Sequence, residues 1–125
     1  MSEEILKSVI DCVAESFAVD TSEVQASTKL ITDLNADSLD IMDLMFQLEE
    51  EFDIKMEKDD FNFLTKLNMD KDEAVIDEFL VPKAKEELLN FLPELDTSRD
   101  LKPAELSGYL SVSSLVKLVE LHQEA

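Results

Sequence analysis

The run from Ser38 to Phe52 carries apolar side chains on two separate lines at helical spacing. Such spacing is typical of an α-helix, and we expect the helix to begin at Ser38 or Leu39 and to end near Phe52. The first line should face a core, and it comprises Ile41, Leu44, Met45, Leu48 and Phe52. The second line comprises Leu39, Met42 and Phe46. Because one line is enough to fold a helix, the second indicates either a widely buried central helix or a surface that binds a partner.

The rest of the chain favours an all-α fold in a single domain that spans residues 1–125. One Gly, three Pro and few runs of β-branched residues argue against a turn-rich β structure. The 45% of hydrophobic residues is enough for one modest core. Further apolar stripes predict a first helix that ends near Phe17 and a last helix capped by Ser111. Their members are Ile5, Val9, Cys12, Val13 and Phe17, and then Leu115, Leu118, Val119 and Leu121.

The charge of the chain restricts its partners. Thirty acidic residues against eleven basic ones give a formal net charge of −19. Nucleic acids and anionic membrane surfaces are disfavoured, because binding them needs a basic patch. Proteins with basic docking patches are favoured, since long-range attraction would steer the two together. On composition alone, the simpler interpretation is that the acids keep the chain in solution.

Cysteine usage and hydropathy favour a cytoplasmic protein. Cys12 is the only cysteine, so no internal disulfide can form, and its place on an apolar face predicts burial. Glu3, Glu4 and Lys7 interrupt any signal-like apolar run. No run approaches the roughly 18 apolar residues of a membrane span. We expect a cytoplasmic monomer without stable membrane insertion.

Ser38 lies at the predicted start of the central helix, with Asp37 and Asp40 beside it. The simplest interpretation of a serine at this position is an N-cap. No base or metal ligand lies close to it in sequence, so it is better placed to receive a group than to attack a substrate. No acid/base pair set into an apolar pocket is visible, which argues against an enzyme. A helix N-terminus suits a phosphodiester, because free amides and the helix dipole stabilise an anion there.

The sequence Asp37-Ser38-Leu39, followed by an acidic amphipathic helix that ends in Glu49-Glu50-Glu51-Phe52, resembles the signature of the acyl carrier protein family. The resemblance is strong over Ile5–Met56 and weaker over Ser111–His122. It implies a four-helix bundle whose serine, here Ser38, carries a 4′-phosphopantetheine arm that holds acyl groups as thioesters. The chain would then deliver acyl groups to fatty acid or lipid biosynthetic enzymes and would catalyse nothing itself.

The acids of the central helix predict a docking face. No basic residue lies between Ser38 and Phe52, so ion pairs within the helix cannot account for these acids. By resemblance, they meet basic residues of a phosphopantetheinyl transferase and of acyl synthases or acyltransferases. The residues that we assign to this docking face are Asp37, Leu39, Asp40, Met42, Asp43, Glu49 and Glu50.

The stretch 57–109, which we name the insert, has no counterpart of similar length in ordinary members of the family. It predicts extra helices between the second helix and the last. A capping box of Asp70 and Glu73 should open a helix that continues through Leu80, and Pro82 should begin another. Its apolar residues predict packing rather than a floating linker, and they are Phe61, Phe63, Leu64, Phe79, Leu80, Leu88, Leu89, Phe91 and Leu92. We expect the insert to enlarge the acyl-binding core.

Family resemblance also bears on the pathway. Carriers dedicated to very long acyl chains, including those that serve lipid A, differ from the ordinary family beyond the second helix. This favours a dedicated long-chain or lipid A pathway. Two alternatives stay open, a free-standing peptidyl or polyketide carrier and an acidic adaptor that keeps the fold without being modified.

Two further patterns predict no metal chemistry. Asp33, Asn35 and Asp37 imitate the start of a calcium loop, but a serine replaces the required glycine and a leucine stands where the bidentate glutamate belongs. His122 is the only histidine and has no neighbour in sequence suited to a metal site or a catalytic triad. We expect His122 to be a surface residue.

Overall fold

The computed structural model describes residues 2–124, apart from the side chains of Ser2, Lys58, Asp59 and Glu124. The α-helices are α1 (Ser2–Phe17), α2 (Leu30–Leu34), α3 (Ser38–Phe52), α4 (Lys71–Ala74), α5 (Pro82–Leu88) and α6 (Val112–Glu124). Short 3₁₀ helices cover Thr21–Glu23, Lys58–Phe61, Phe63–Lys66 and Pro103–Tyr109. The two strands are β1 (Val75–Ile76) and β2 (Phe79–Leu80). Over the described residues, the expected all-α fold is confirmed apart from this small hairpin.

The three long helices form the bundle, in which α1 packs against both α3 and α6. The predicted core line of α3 is confirmed, because Leu44, Met45 and Leu48 are buried. Ile41 and Phe52 are half-buried against the same core. The helix stripes therefore predicted both the elements and the faces that they bury. None of the helices over residues 2–124 is long and apolar enough to cross a membrane.

The predicted cap at the start of α6 is confirmed. The amide of Ser114 donates to Ser111 Oγ at 3.4 Å, and the amide of Ser111 donates to Ser114 Oγ at 3.1 Å. Both serines are fully buried, so this pairing satisfies groups that water cannot reach. The loop before α2 contacts the start of α6, because the Val112 amide donates to the Thr28 carbonyl at 3.0 Å.

The expected helix from Asp70 through Leu80 is wrong beyond Ala74. After α4, the strands β1 and β2 pair antiparallel around a turn at Asp77 and Glu78, whose φ angles are 52° and 77°. The β-branched residues of β1 disfavour a helix. The hairpin also lets the Leu80 amide donate to the Leu101 carbonyl at 2.8 Å, a contact distant in sequence. The expected restart is confirmed, since Pro82 is the first residue of α5.

The insert packs onto the bundle, as its composition predicted. Of the nine apolar residues named above, only Phe79 and Leu89 are exposed. Phe63, Leu88 and Leu92 belong to the same continuous core as the bundle helices. Apolar side chains of the insert thus extend the core rather than form a separate one.

His122 is half-buried and forms a polar contact with the insert. Its Nε2 lies 3.0 Å from Asp60 Oδ2, and Lys66 Nζ lies 3.5 Å from Asp60 Oδ1. The Glu57 amide also donates to Asp60 Oδ2 at 2.7 Å. This polar cluster links α6 to the beginning of the insert. Sequence neighbours could not reveal it, because the two partners are brought together only by the fold.

Candidate functional site

Ser38 follows a tight turn that ends α2. Asn35 adopts the left-handed conformation, with φ at 56°, and the amide of Ala36 donates back to the Leu30 carbonyl at 3.0 Å. Turns of this kind end helices because they satisfy carbonyls that the helix leaves unpaired. Ala36 is buried, whereas Ser38 is exposed. The turn therefore anchors the chain two residues before a serine that is open to solvent.

The cap of α3 is Asp37 and not Ser38. The Asp40 amide donates to Asp37 Oδ1 at 2.9 Å, and the Asp37 amide donates to Asp40 Oδ2 at 3.0 Å. This reciprocal pair is a capping box built from two aspartates. The N-cap interpretation of Ser38 is therefore wrong, and the hydroxyl is not required to begin the helix.

Two amides at this helix end stay available for an anion. The first amide of α3 with a helical acceptor is that of Ile41, which donates to the Asp37 carbonyl at 3.0 Å. The capping box uses the amides of Asp37 and Asp40, which leaves those of Ser38 and Leu39. Together with the positive end of a 15-residue helix, they favour a phosphate attached to Ser38 Oγ. Exposure and electrostatics thus both fit a phosphopantetheine arm.

The apolar members of the docking face are exposed. Leu39 is 70% exposed and Met42 is 39% exposed, and Phe46 lies on the same line with 54% of its surface exposed. Phe46 was not assigned to the docking face, although its spacing of four residues from Met42 was a sufficient signal. Large apolar side chains in such a row favour a protein contact.

The acidic members of the docking face divide into two groups. Asp43 and Glu50 are exposed. By contrast, Asp37 and Asp40 bond each other's amides, and Glu49 Oε2 accepts the Met56 amide at 2.8 Å. The second group stabilises the two ends of α3. Acids of the first group are therefore the better candidates for attracting a basic partner.

Cys12 is buried, as expected, and its thiol is mostly in the protonated, unreactive form. Burial, together with the nearby carboxylates of Glu51, Glu15 and Asp11, raises the pKa of this thiol to about 11. Because the thiolate is the nucleophilic form, this cysteine is a poor nucleophile at neutral pH. In the described part of the chain, no group of three or more acidic, histidine or cysteine side chains is arranged to hold a metal ion.

Comparisons with known proteins match this region. A family model described as a phosphopantetheine attachment site matches residues 7–68. A protein named acyl carrier protein from Clostridium acetobutylicum is 44% identical over 52 residues, which are 42% of this chain and 68% of that protein. The acyl carrier protein of Thermotoga maritima is 45% identical over 58 residues, 46% of this chain and 72% of that protein. That of Exiguobacterium sp. is 43% identical over 58 residues, 46% of this chain and 73% of that protein.

Proposed function

The chain belongs to the acyl carrier protein family, and on this premise we propose that Ser38 carries its 4′-phosphopantetheine arm. Members of this family are carriers and not enzymes. The arm ends in a thiol that holds acyl groups as thioesters while partner enzymes catalyse their transfer. The function of this chain is accordingly to carry acyl groups on phosphopantetheine.

The capping box at α3 is the observation that carries the assignment to Ser38. It begins the helix without using the serine hydroxyl, which is exposed, and it leaves two adjacent amides for a phosphate. Attachment adds negative charge beside Asp37 and Asp40. The helix dipole and the hydrogen bonds that those carboxylates accept offset part of the repulsion.

Protein partners of the carrier use the docking face in this proposal. A phosphopantetheinyl transferase and acyl synthases or acyltransferases would bring basic patches to Asp43 and Glu50. They would also cover Leu39 and Met42, which a free monomer in the cytoplasm leaves exposed. Contacts of this kind are transient, which suits a carrier that visits several enzymes.

We propose further that the insert adapts this carrier to a dedicated long-chain or lipid A pathway. It adds apolar residues to the core and lies beside the turn that leads to Ser38, through the contact between α2 and the 3₁₀ helix Pro103–Tyr109. Acyl chains offer about 0.8 kcal/mol for each methylene that they bury, so added apolar surface favours longer chains.

Intact mass after incubation with a broad-specificity phosphopantetheinyl transferase and coenzyme A tests the attachment site. The wild-type chain should gain the mass of one arm, and Ser38→Ala should gain nothing. Ser27→Ala removes an exposed loop serine and should be modified like the wild type. Because Asp37 supplies the cap, Ser38→Ala should change the free energy of unfolding by less than about 0.5 kcal/mol.

Each outcome separates one interpretation from another. A full mass gain in Ser38→Ala would contradict the assignment of the arm to this residue. No gain in the wild type, with a relative modified under the same conditions, would favour the acidic adaptor. A peptidyl or polyketide carrier would accept the arm but would prefer aminoacyl or polyketide cargo in loading assays.

A further inference from the structure

The hairpin of β1 and β2 in the insert exposes two large apolar side chains next to each other. Ile76 and Phe79 are paired in the antiparallel register, and they are 57% and 38% exposed. The neighbouring pair of the register is Val75 and Leu80, of which Leu80 is buried and Val75 is half-buried. Successive side chains of a strand lie on opposite faces. The core therefore covers one face of the hairpin and leaves Ile76 and Phe79 on the other.

The turn of the hairpin contains residues that do not suit its backbone. Asp77 and Glu78 have positive φ angles, of 52° and 77°. Two-residue turns of this kind favour asparagine and glycine, because a Cβ atom is crowded in the left-handed conformation. A glutamate at the second position is thus less favourable for folding than a glycine. The stability of the turn does not explain why two carboxylates lie at its tip.

Negative charge surrounds the tip of the hairpin. Residues 70–80 contain five acidic residues and one lysine, and all five acids are exposed. Lys102 adds a basic group on one side, with its Nζ 5.7 Å from the centre of the Phe79 ring. The surface thus combines exposed apolar area with net negative charge. We name Ile76, Asp77, Glu78 and Phe79 the hairpin patch.

The hairpin patch lies beyond residue 68, where the match to the family model ends. An enzyme that recognises the matched part of the chain contacts α3 and Ser38. A partner that binds the hairpin patch recognises a feature of the insert instead. Such a partner would distinguish this chain from carriers without an insert.

We propose that the hairpin patch is a second docking surface, which binds a partner protein with an apolar cleft rimmed by arginine or lysine. Ile76 and Phe79 enter the cleft, and the basic rim meets Asp77 and Glu78. Protein interfaces commonly have apolar side chains at the centre and charged groups around them. Attraction between opposite charges favours a basic partner and speeds the encounter. This docking does not depend on an arm at Ser38.

Like charge disfavours a second copy of this chain on the hairpin patch. Each copy has a formal net charge of −19 and would bring the same acids to the contact. An anionic lipid surface is disfavoured for the same reason. The basic partner protein is the occupant that fits both the apolar pair and the acids beside it.

Amide chemical shifts of the isotope-labelled full chain test the proposal, with a synthetic peptide as the probe. The probe carries two leucines flanked by arginines, and a control peptide has serines in place of the leucines. The probe should shift the amides of Ile76–Phe79 and bind there about tenfold more tightly than the control, since burial of two methylenes supplies that factor. Ile76→Thr with Phe79→Thr should remove this preference at the hairpin. Amides of Met42–Phe46 in α3 should respond to the probe equally in both proteins.

A second variant separates binding from folding. Asp77→Asn with Glu78→Gly gives the turn the residues that its backbone favours, so the melting temperature should rise by a few degrees. Because the variant lacks two carboxylates, the probe should bind the hairpin about threefold to tenfold more weakly at low salt. Asp11→Asn with Glu86→Gln removes the same charge at exposed residues outside the hairpin and should leave binding at the hairpin nearly unchanged.

Several results would overturn the proposal. Shifts confined to α3, or equal binding of the two peptides at the hairpin, would exclude a docking surface there. A lower melting temperature of Asp77→Asn with Glu78→Gly would show that the acids serve the fold. Dimerisation at high salt in sedimentation, lost in Ile76→Thr with Phe79→Thr, would assign the patch to a second copy. The chain carries no arm in these measurements, so their failure leaves the proposed function unaffected.

Discussion

The bundle and the insert both bury apolar side chains but are built differently. In the bundle, long helices meet along continuous apolar stripes, as where α1 packs against α6. In the insert, short elements are joined by single hydrogen bonds distant in sequence, such as the Asn68 amide to Glu87 Oε1 at 2.9 Å. This difference in construction indicates that the two regions have different roles. The bundle presents Ser38 and the docking face, whereas the insert extends the core through short elements.

The largest expected effect tests whether the two regions fold as one unit. Leu48 of the bundle and Leu92 of the insert are both fully buried. Leu48→Ala and Leu92→Ala should each lower the free energy of unfolding by about 2–5 kcal/mol, through lost burial and a residual cavity. Urea unfolding followed by circular dichroism should show one transition for each variant. A separate early transition in Leu92→Ala, with the main one unchanged, would mean that the insert unfolds independently.

A smaller effect is expected on the rate of association with a partner enzyme, which should depend on the acids of the docking face and not on those of the insert. Asp43→Lys with Glu50→Lys changes the docking face, and Glu86→Lys with Asp100→Lys makes the same change of net charge on exposed residues of the insert. The first pair should slow association with the phosphopantetheinyl transferase by about tenfold at low salt and flatten its salt dependence. Stopped-flow fluorescence measures both rates. Equal slowing by the two pairs would show that total charge, not the docking face, attracts the partner.

The smallest effect concerns the polar cluster that joins the regions. Burial alone would raise the pKa of Asp60, but the Glu57 amide and a hydrogen bond from His122, together with the charges of His122 and Lys66, hold this pKa below its ordinary value of 3.8. A carboxyl whose pKa is lowered on folding stabilises the fold at pH values above its ordinary pKa. This contribution is lost as the pH falls through the pKa of the carboxyl in the folded protein.

This contribution is measured by comparing the free energy of unfolding of Asp60→Asn with that of the wild type over a range of pH. The difference in stability should be largest near about pH 5 and should shrink as the pH is lowered below the ordinary value of the carboxyl. Asp100→Asn removes an exposed carboxylate of the insert and should give no such trend. If the free energies of unfolding of Asp60→Asn and the wild type differed by a constant amount down to acid pH, the ionised Asp60 carboxylate would not stabilise the fold.

The sequence was informative where a pattern repeats over many residues. The stripes of α1, α3 and α6 predicted their helices, because burial of one face requires that spacing. The position of Ser38 at a helix start followed from the same pattern. The hairpin at Val75–Leu80 was not predictable in this way, since two-residue strands carry no periodicity. The hairpin is accompanied by a hydrogen bond from the Leu80 amide to the Leu101 carbonyl, a partner that only the folded chain brings near.

Polar partners were harder to predict than apolar ones. Asp37 and Glu49 resemble other acids of the docking face in sequence, yet one caps α3 and the other binds the Met56 amide. Aspartate and glutamate suit both solvent and backbone amides, so composition does not distinguish the two uses. The pairing of His122 with Asp60 and the meeting of Arg99 with Tyr109 needed the tertiary structure for the same reason.

Tandem mass spectrometry of the digested, acyl-loaded protein tests the central claim most directly. After incubation with a phosphopantetheinyl transferase and hexadecanoyl coenzyme A, the whole mass of the acylated arm should be found on Ser38, with every other serine unmodified. Arm mass on any other residue, or an unmodified Ser38 peptide in a protein whose relatives are fully loaded, would contradict the account.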